Sequence, residues 1–356
     1  MNKLNKLFVV ILSSLFISAQ AFAGELSVTG SAKASYAING GDSSGKGLGI
    51  SNELKFAADG ELDNGFTWSY FMELDGNDGG AHDNDDSQIA FGMGDLGTLK
   101  LNDSEGGLST ETGYGIGAMG VGDDYANTDD MVGNDEDISG SGNIEYNTAS
   151  GLLPFGLVAK VAYVPNNGDT DNNSYKNGGG ENTQGITGDT NTMYQVTAAP
   201  IGGLKIGASY KDANGESGVV AQSYESGGYY ANYSMGNFKV GVGENFYAPA
   251  VGDKVSAGAY SYKATQAGIE MAINDALSIS YSEEKSTALK YGAAQNAAAG
   301  KSPFARTDVT FESTFLQAAY DIGGATVGIS NVESKNSGYV EADDQSLTII
   351  SLALAF

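Results

Sequence analysis

Residues 65–75 read GFTWSYFMELD. Phe66, Trp68, Tyr70, Met72 and Leu74 fall on every second position, with Thr67, Ser69, Glu73 and Asp75 among those between them. Side chains of a β-strand point alternately to its two faces, so the stretch predicts a strand with one apolar and one polar face. The pattern recurs. In NELKFAAD (52–59) Leu54 and Phe56 oppose Glu53 and Lys55; in FGLVAKVAYV (155–164) Phe155, Leu157, Val161 and Tyr163 oppose Lys160; in LKIGASYK (204–211) Leu204, Ile206 and Tyr210 oppose Lys205 and Lys211. The end, QSLTIISLALAF (345–356), places Ile350, Leu352, Leu354 and Phe356 on one face and Ser351, Ala353 and Ala355 on the other. Such runs occur throughout, and hardly any has a helical period.

What liquid the apolar faces meet follows from the remainder of the chain. The opening residues carry Lys3 and Lys6, an apolar core from Leu7 to about Ala19, then Ala21-Phe22-Ala23 before Gly24. That order predicts an export signal over 1–23 and a mature chain over 24–356. The formal charge is −26, and cysteine is absent, so an exported chain must hold together without disulfides. No later segment is apolar enough for a membrane helix; a transmembrane barrel escapes such a search because its lipid-facing residues alternate with polar ones.

Connections between the runs alternate in length. DNG (63–65), DLG (95–97), SGLLP (150–154), GG (202–203), GN (236–237), NDA (274–276) and GG (323–324) are short, whereas the stretches between those hairpins are long and rich in Asp, Asn and Gly. Short turns on one rim and long loops on the other are the layout of an outer-membrane barrel. The count predicts an all-β fold, a sixteen-stranded antiparallel transmembrane barrel with short periplasmic turns and long outer loops, strand one meeting strand sixteen.

The charges check this register. Glu53, Lys55, Glu73, Lys100, Glu145, Lys160, Lys205, Lys239, Glu270 and Asp321 share the polar face, while Trp68 and tyrosines 36, 70, 146, 163, 210, 229, 233, 281 and 320 share the apolar one. Tyrosine suits the lipid headgroup level, since its ring is apolar and its hydroxyl wet. Glu244, Lys263 and Glu283 fall on the apolar face and are expected near the loop ends of their strands. A soluble sandwich would bury fewer tyrosines, and a solenoid would show a fixed repeat, which is absent.

Local stretches carry a resemblance as well. FGMGDLGTLKLNDSEG (91–106) resembles the strand, short turn, strand and loop start of the general porins of Gram-negative bacteria, and GNIEYNTASGLLPFGLVAKVAY (142–163) is similar to the hairpin after their third loop. The resemblance implies a homotrimer in outer-membrane lipid, passing small hydrophilic solutes. It implies that Phe356, with Leu354 and Leu352 on the alternating strand, is read by the barrel-assembly machinery. It also implies a third loop, here about 103–142, that folds inward to narrow the pore. That loop holds ten carboxylates and no Lys or Arg. Glu105, Glu111, Asp123, Asp124, Asp129 and Asp130 are the candidates for the acidic side of a constriction, facing inward Lys33, Lys55 and Lys100. Opposed charges of this kind set a transverse field, and the excess of acid favours cations. Two departures stand out: Asn102 occupies a position where many members have Gly, and the only arginine is Arg306.

Other chemistry finds little support. One histidine, His82, and no cysteine exclude zinc sites and histidine-based triads. No phosphate-binding glycine loop and no basic nucleic-acid patch is present. No cofactor is expected beyond loosely held calcium: DTDNNSYKNGGGE (169–181) begins like a calcium loop with Asp169 and Asp171, but Ser174 stands where Gly is required. The alternative function is a barrel-anchored adhesin or receptor that binds through its acidic loops. A sugar-conducting variant would carry a line of tyrosines on the polar face, and the strand tyrosines above point outward instead.

Overall fold

The computed structural model describes residues 25–41, 45–76, 82–103, 106–109, 115–118, 138, 142–165, 190–214, 220–222, 225–248, 251–252, 259–291 and 306–356. Eighteen strands run in chain order: β1 (Glu25–Gly41), β2 (Gly45–Glu61), β3 (Thr67–Gly76), β4 (His82–Gly92), β5 (Thr98–Asp103), β6 (Asn143–Asn147), β7 (Val158–Val164), β8 (Thr190–Ala198), β9 (Leu204–Asn214), β10 (Val220–Gln222), β11 (Glu225–Met235), β12 (Phe238–Ala248), β13 (Val251–Gly252), β14 (Ala259–Ala272), β15 (Leu277–Tyr291), β16 (Arg306–Asp321), β17 (Ala325–Lys335) and β18 (Gln345–Ala355). Sixteen of them close into one antiparallel barrel; β10 and β13 pair separately. Closure leaves the barrel without an open sheet edge, which an apolar solvent demands.

The seam is the pairing of β1 with β18, from Ser31 opposite Ala355 to Gly41 opposite Gln345. Phe356 extends it, donating its N–H to the Gly30 carbonyl at 2.9 Å and accepting from the Gly30 N–H at 2.7 Å. A Cβ on Gly30 would stand 2.6 Å from the Phe356 ring. The last aromatic ring therefore lies in the gap that this glycine leaves.

Each short connection read from the sequence is a turn. At 93–97 the Met93 N–H meets the Gly97 carbonyl at 2.8 Å, and Gly97 has φ +89° with the Asn147 carbonyl only 2.1 Å from where a Cβ would be. Both the left-handed backbone and the close approach require glycine there. The alternation also holds: Leu352 and Leu354 are exposed on the outer surface, and Ser351 between β17 and β1 is buried inside.

The outward charges are a correction. Glu283 is mid-strand in β15 rather than at its loop end, and Lys285, Glu312, Glu333 and Lys335 share its face. Lys263 pairs with Glu244 at 3.0 Å, and Lys285 lies 3.7 Å from Glu283 and 3.8 Å from Glu312. Above their short turns, β12 and β14–β18 each present three apolar outward residues, such as Leu277, Ile279 and Tyr281 or Leu354, Leu352 and Ile350, before the first polar one. Those first polar residues are Glu244, Thr265, Glu283, Thr314, Asn331 and Thr348. The boundary steps with the short turns around the wall, as a level line must on tilted strands. A strand needs about 9–11 residues to cross a bilayer, and β14, β15 and β16 have 14, 15 and 16. Their outer halves therefore leave the hydrocarbon, where an outward charge costs little. Inside that same half the pattern inverts: Phe311, Phe315, Val332 and Leu347 point inward and are buried.

Candidate functional site

The barrel interior is lined by the polar alternation, and the connection between β5 and β6 enters it. At its root Asn102 and Asn143, neighbours on β5 and β6, share a hydrogen bond of 2.8 Å. Asn102 also packs against Gly106, whose φ is +88° and whose added Cβ would lie 2.1 Å from the Asn102 amide nitrogen. The connection then crosses to β7 and β8. Leu108 is fully buried against Ile138, Ala162, Val164 and Met193, and the Gln195 amide donates to the Leu108 and Ser109 carbonyls at 2.9 and 3.2 Å.

Its next described segment, 115–118, touches a different part of the wall. Lys239 on β12 donates to the Gly115 carbonyl, Gly117 N–H to the Glu270 carboxylate on β14 at 3.2 Å, and Ala118 N–H to the Ser280 hydroxyl on β15 at 2.7 Å. A lysine, a carboxylate and a hydroxyl thus take up backbone groups of the connection and hold it to the wall.

Lys33, Lys55 and Lys100 all point inward. Lys55 forms an ion pair with Glu73 across the β2–β3 ladder and lies 3.6 Å from the Phe71 ring centroid, a cation–π contact. Lys100 pairs with Glu145 on β6 at 3.2 Å, and Glu145 is 1% exposed. A carboxylate so deeply buried needs its cation and its Asn102 neighbour at 3.5 Å to offset desolvation. Lys33 lines a recess with Ser35, Asn39 and Ser51. The acidic candidates Glu105, Glu111, Asp123, Asp124, Asp129 and Asp130 lie outside the described residues, as do the calcium candidates Asp169 and Asp171. Among the described residues no group of three or more His, Asp or Glu could hold a metal.

Sequence reasoning missed a second feature of the lumen. Tyr230, Tyr247 and Tyr262 sit on the inward parity of β11, β12 and β14. Tyr247 and Tyr262 stack directly opposite one another, with ring centroids 5.8 Å apart and planes within 14°. Tyr339, from the turn between β17 and β18, joins Tyr262 at 5.3 Å and Phe311 at 5.8 Å. Its hydroxyl shares a 2.7 Å hydrogen bond with Ser286, and the Asn336 side chain donates to the Thr310 carbonyl at 2.8 Å. The doubled aromatics YY (229–230) and FY (246–247) were the available signal, since two adjacent residues cannot share a face.

A closed antiparallel barrel with an apolar outer band, a polar interior and a connection docked inside it defines the pore-type transmembrane β-barrel. A family model described as Gram-negative porin matches residues 7–302. The chain belongs to that family, whose members are outer-membrane channels. No curated protein sequence matches the chain. Among solved structures, in-vitro folded OmpT of Vibrio cholerae is 12% identical, with a TM-score of 0.61 over 96% of this chain and 99% of its own. Its trimer form gives 0.60 at 11% identity, over 94% of this chain and 100% of its own. A mutant of the Rh. blastica porin gives 0.59 at 12% identity, over 93% of this chain and 100% of its own.

Proposed function

We propose that the chain forms a water-filled, cation-selective pore for passive diffusion of ions and small hydrophilic solutes, with no catalytic role. The observation that carries this is the docking of the acidic β5–β6 connection inside the barrel. Its contacts reach Gln195 on one part of the wall and Lys239, Glu270 and Ser280 on another. Wall lysines offer little counter-field, because Lys55 and Lys100 already have Glu73 and Glu145 beside them. A low-dielectric cleft with excess charge of one sign concentrates counter-ions. Purified protein in a planar bilayer should give stepwise conductance and, under a potassium chloride gradient, a reversal potential of cation sign. Absence of steps would favour the adhesin reading, in which the outer loops bind and the barrel only anchors.

The same reading includes a homotrimer, the arrangement named for one OmpT structure. Leu48 and Ile50 on β2 project outward at 76% and 70% exposure, beside Ala32, Ala34 and Ile38 of β1. On the adjoining β18 the outward face has already turned polar at Thr348, opposite Ile38, so these residues pass the lipid level and suit a neighbouring copy. Native mass measurement in mild detergent should give three chains; monomers alone would remove the proposal.

A further inference from the structure

Above its short turns the apolar outer band is low. On β15 only Leu277, Ile279 and Tyr281 precede Glu283, and on β16 only Tyr320, Ala318 and Leu316 precede Thr314. Three alternate positions cover about six residues of strand, whereas crossing the hydrocarbon takes about 9–11. Extending the band outward would put Glu283, Lys285 and Glu312 among acyl chains. The remainder must come from the other end.

The short turns can supply it. Leu96, Leu152, Phe155, Ile201, Ile273 and Ile322 stand in five of them, with exposures from 44% at Ile273 to 74% at Phe155, and Met235 and Phe238 flank a sixth. None of the seven turns contains Lys or Arg. Where parity sets the direction it is outward: Ile273 continues the face of Ile269 and Met271, Ile322 that of Tyr320, and Met235 pairs with Phe238 next below Tyr233 and Val240. Phe155 has a left-handed backbone, φ 61°, in which a bulky residue is strained. Strain that delivered a phenyl ring to water would be doubly unfavourable; burial of the ring in an apolar medium offsets it.

We propose that the short-turn rim is embedded rather than wet: its apolar residues form a collar seated among the acyl chains of the inner leaflet and complete the low band of the wall. The collar is continuous with the lipid-facing surface of the strands and recurs from the β4–β5 turn to the β16–β17 turn. A docked protein would cover one sector of the rim, whereas lipid surrounds all of it. Asp63, Asp95 and Asp275, exposed in their turns, remain for the headgroup layer. The barrel thus sits low in the bilayer, which keeps the outward charges of β15 and β16 clear of hydrocarbon.

The test places a single tryptophan in the collar of the full chain. Trp68, the one tryptophan, is first changed to Phe. Tryptophan is then introduced as Phe155→Trp, Ile201→Trp or Ile322→Trp, with Glu341→Trp in the exposed β17–β18 turn as the control. In phosphatidylcholine vesicles with bromine on the acyl chains and iodide on both faces, the three collar sites should be quenched strongly by bromine and weakly by iodide, and position 341 the reverse. A second measurement compares bilayers of dilauroyl and dioleoyl phosphatidylcholine. Leu96→Asn, Ile201→Asn and Ile322→Asn together should lower the folded fraction at least about tenfold in the thicker dioleoyl bilayer, the worth of even one lost apolar contact, and leave it near the parent's in the thin one. Iodide quenching at the three sites equal to that at position 341, as a water-facing or protein-docking rim would give, overturns the collar. So does a loss of folding of the same size in both lipids, which would assign these residues to the fold rather than to lipid.

Discussion

Leu352→Asp should leave most of the chain unassembled in the membrane, while Ala353→Asp assembles nearly as well as the parent. Leu352 is the middle of three apolar outward residues on β18, paired with Ala34 and Val327. Losing its contact with lipid costs about 1.5–3 kcal/mol. A carboxylate there adds a charge in hydrocarbon, a somewhat smaller cost than the roughly 2–4 kcal/mol of a midplane lysine. Both fall on the strand that closes the barrel, so the damage is to closure itself. Ala353 faces inward, opposite Lys33 on β1 and Thr326 on β17. An aspartate there meets water and a cation. The measurement is the fraction of membrane-extracted protein that keeps folded mobility in unheated electrophoresis; equal fractions for the two variants would overturn the facing of β18.

Changing Asp123, Asp124, Asp129 and Asp130 together to Asn should lower the potassium-over-chloride permeability ratio by about threefold at 0.1 M salt, the scale expected when a focused potential of a few kT is weakened. The segment that carries these residues begins after Ala118, bonded to Ser280 on β15, and ends before Ile138, packed with Leu108 against Val164 and Met193. Both anchors are inside the barrel. The effect should fade as salt rises, because the Debye length falls from about 10 Å at 0.1 M to about 3 Å at 1 M. Reversal potentials of parent and variant at both concentrations provide the check. A parent that prefers chloride, or a variant unchanged at 0.1 M, would place these carboxylates away from the ion path.

The outward charges and inward tyrosines show where reading the chain alone stops. Parity along β15 already set Glu283 on the same face as Ile279 and Tyr281, and parity along β11 set Tyr230 opposite Tyr229. What parity does not contain is height. Glu283 is tolerable because β15 continues well past the lipid level, and the depth of a residue depends on strand tilt and on how far neighbouring strands extend together. The lysines behave similarly. Lys55 and Lys100 were legible as inward, but the ion pairs with Glu73 and Glu145 depend on the β2–β3 and β5–β6 registers, and the latter joins strands forty residues apart through a long connection.

The sequence by itself determined the alternating faces, the seven tight turns, the strand count and so the closed barrel with its polar interior. These follow from local rules: a two-residue period, glycine in most of the tight turns, and the bilayer's demand that no strand edge be left open. Only the tertiary structure decided which inward groups meet. The bonds of Gly115, Gly117 and Ala118 to Lys239, Glu270 and Ser280 span more than a hundred positions, as does no periodic signal. The union of Tyr247, Tyr262, Tyr339 and Phe311 likewise needs three strands and a turn to be curved onto one another. Hydrophobic alternation fixes the face a side chain takes, whereas its partner across the lumen is set by tilt, stagger and the path of a loop, which are properties of the closed barrel as a whole.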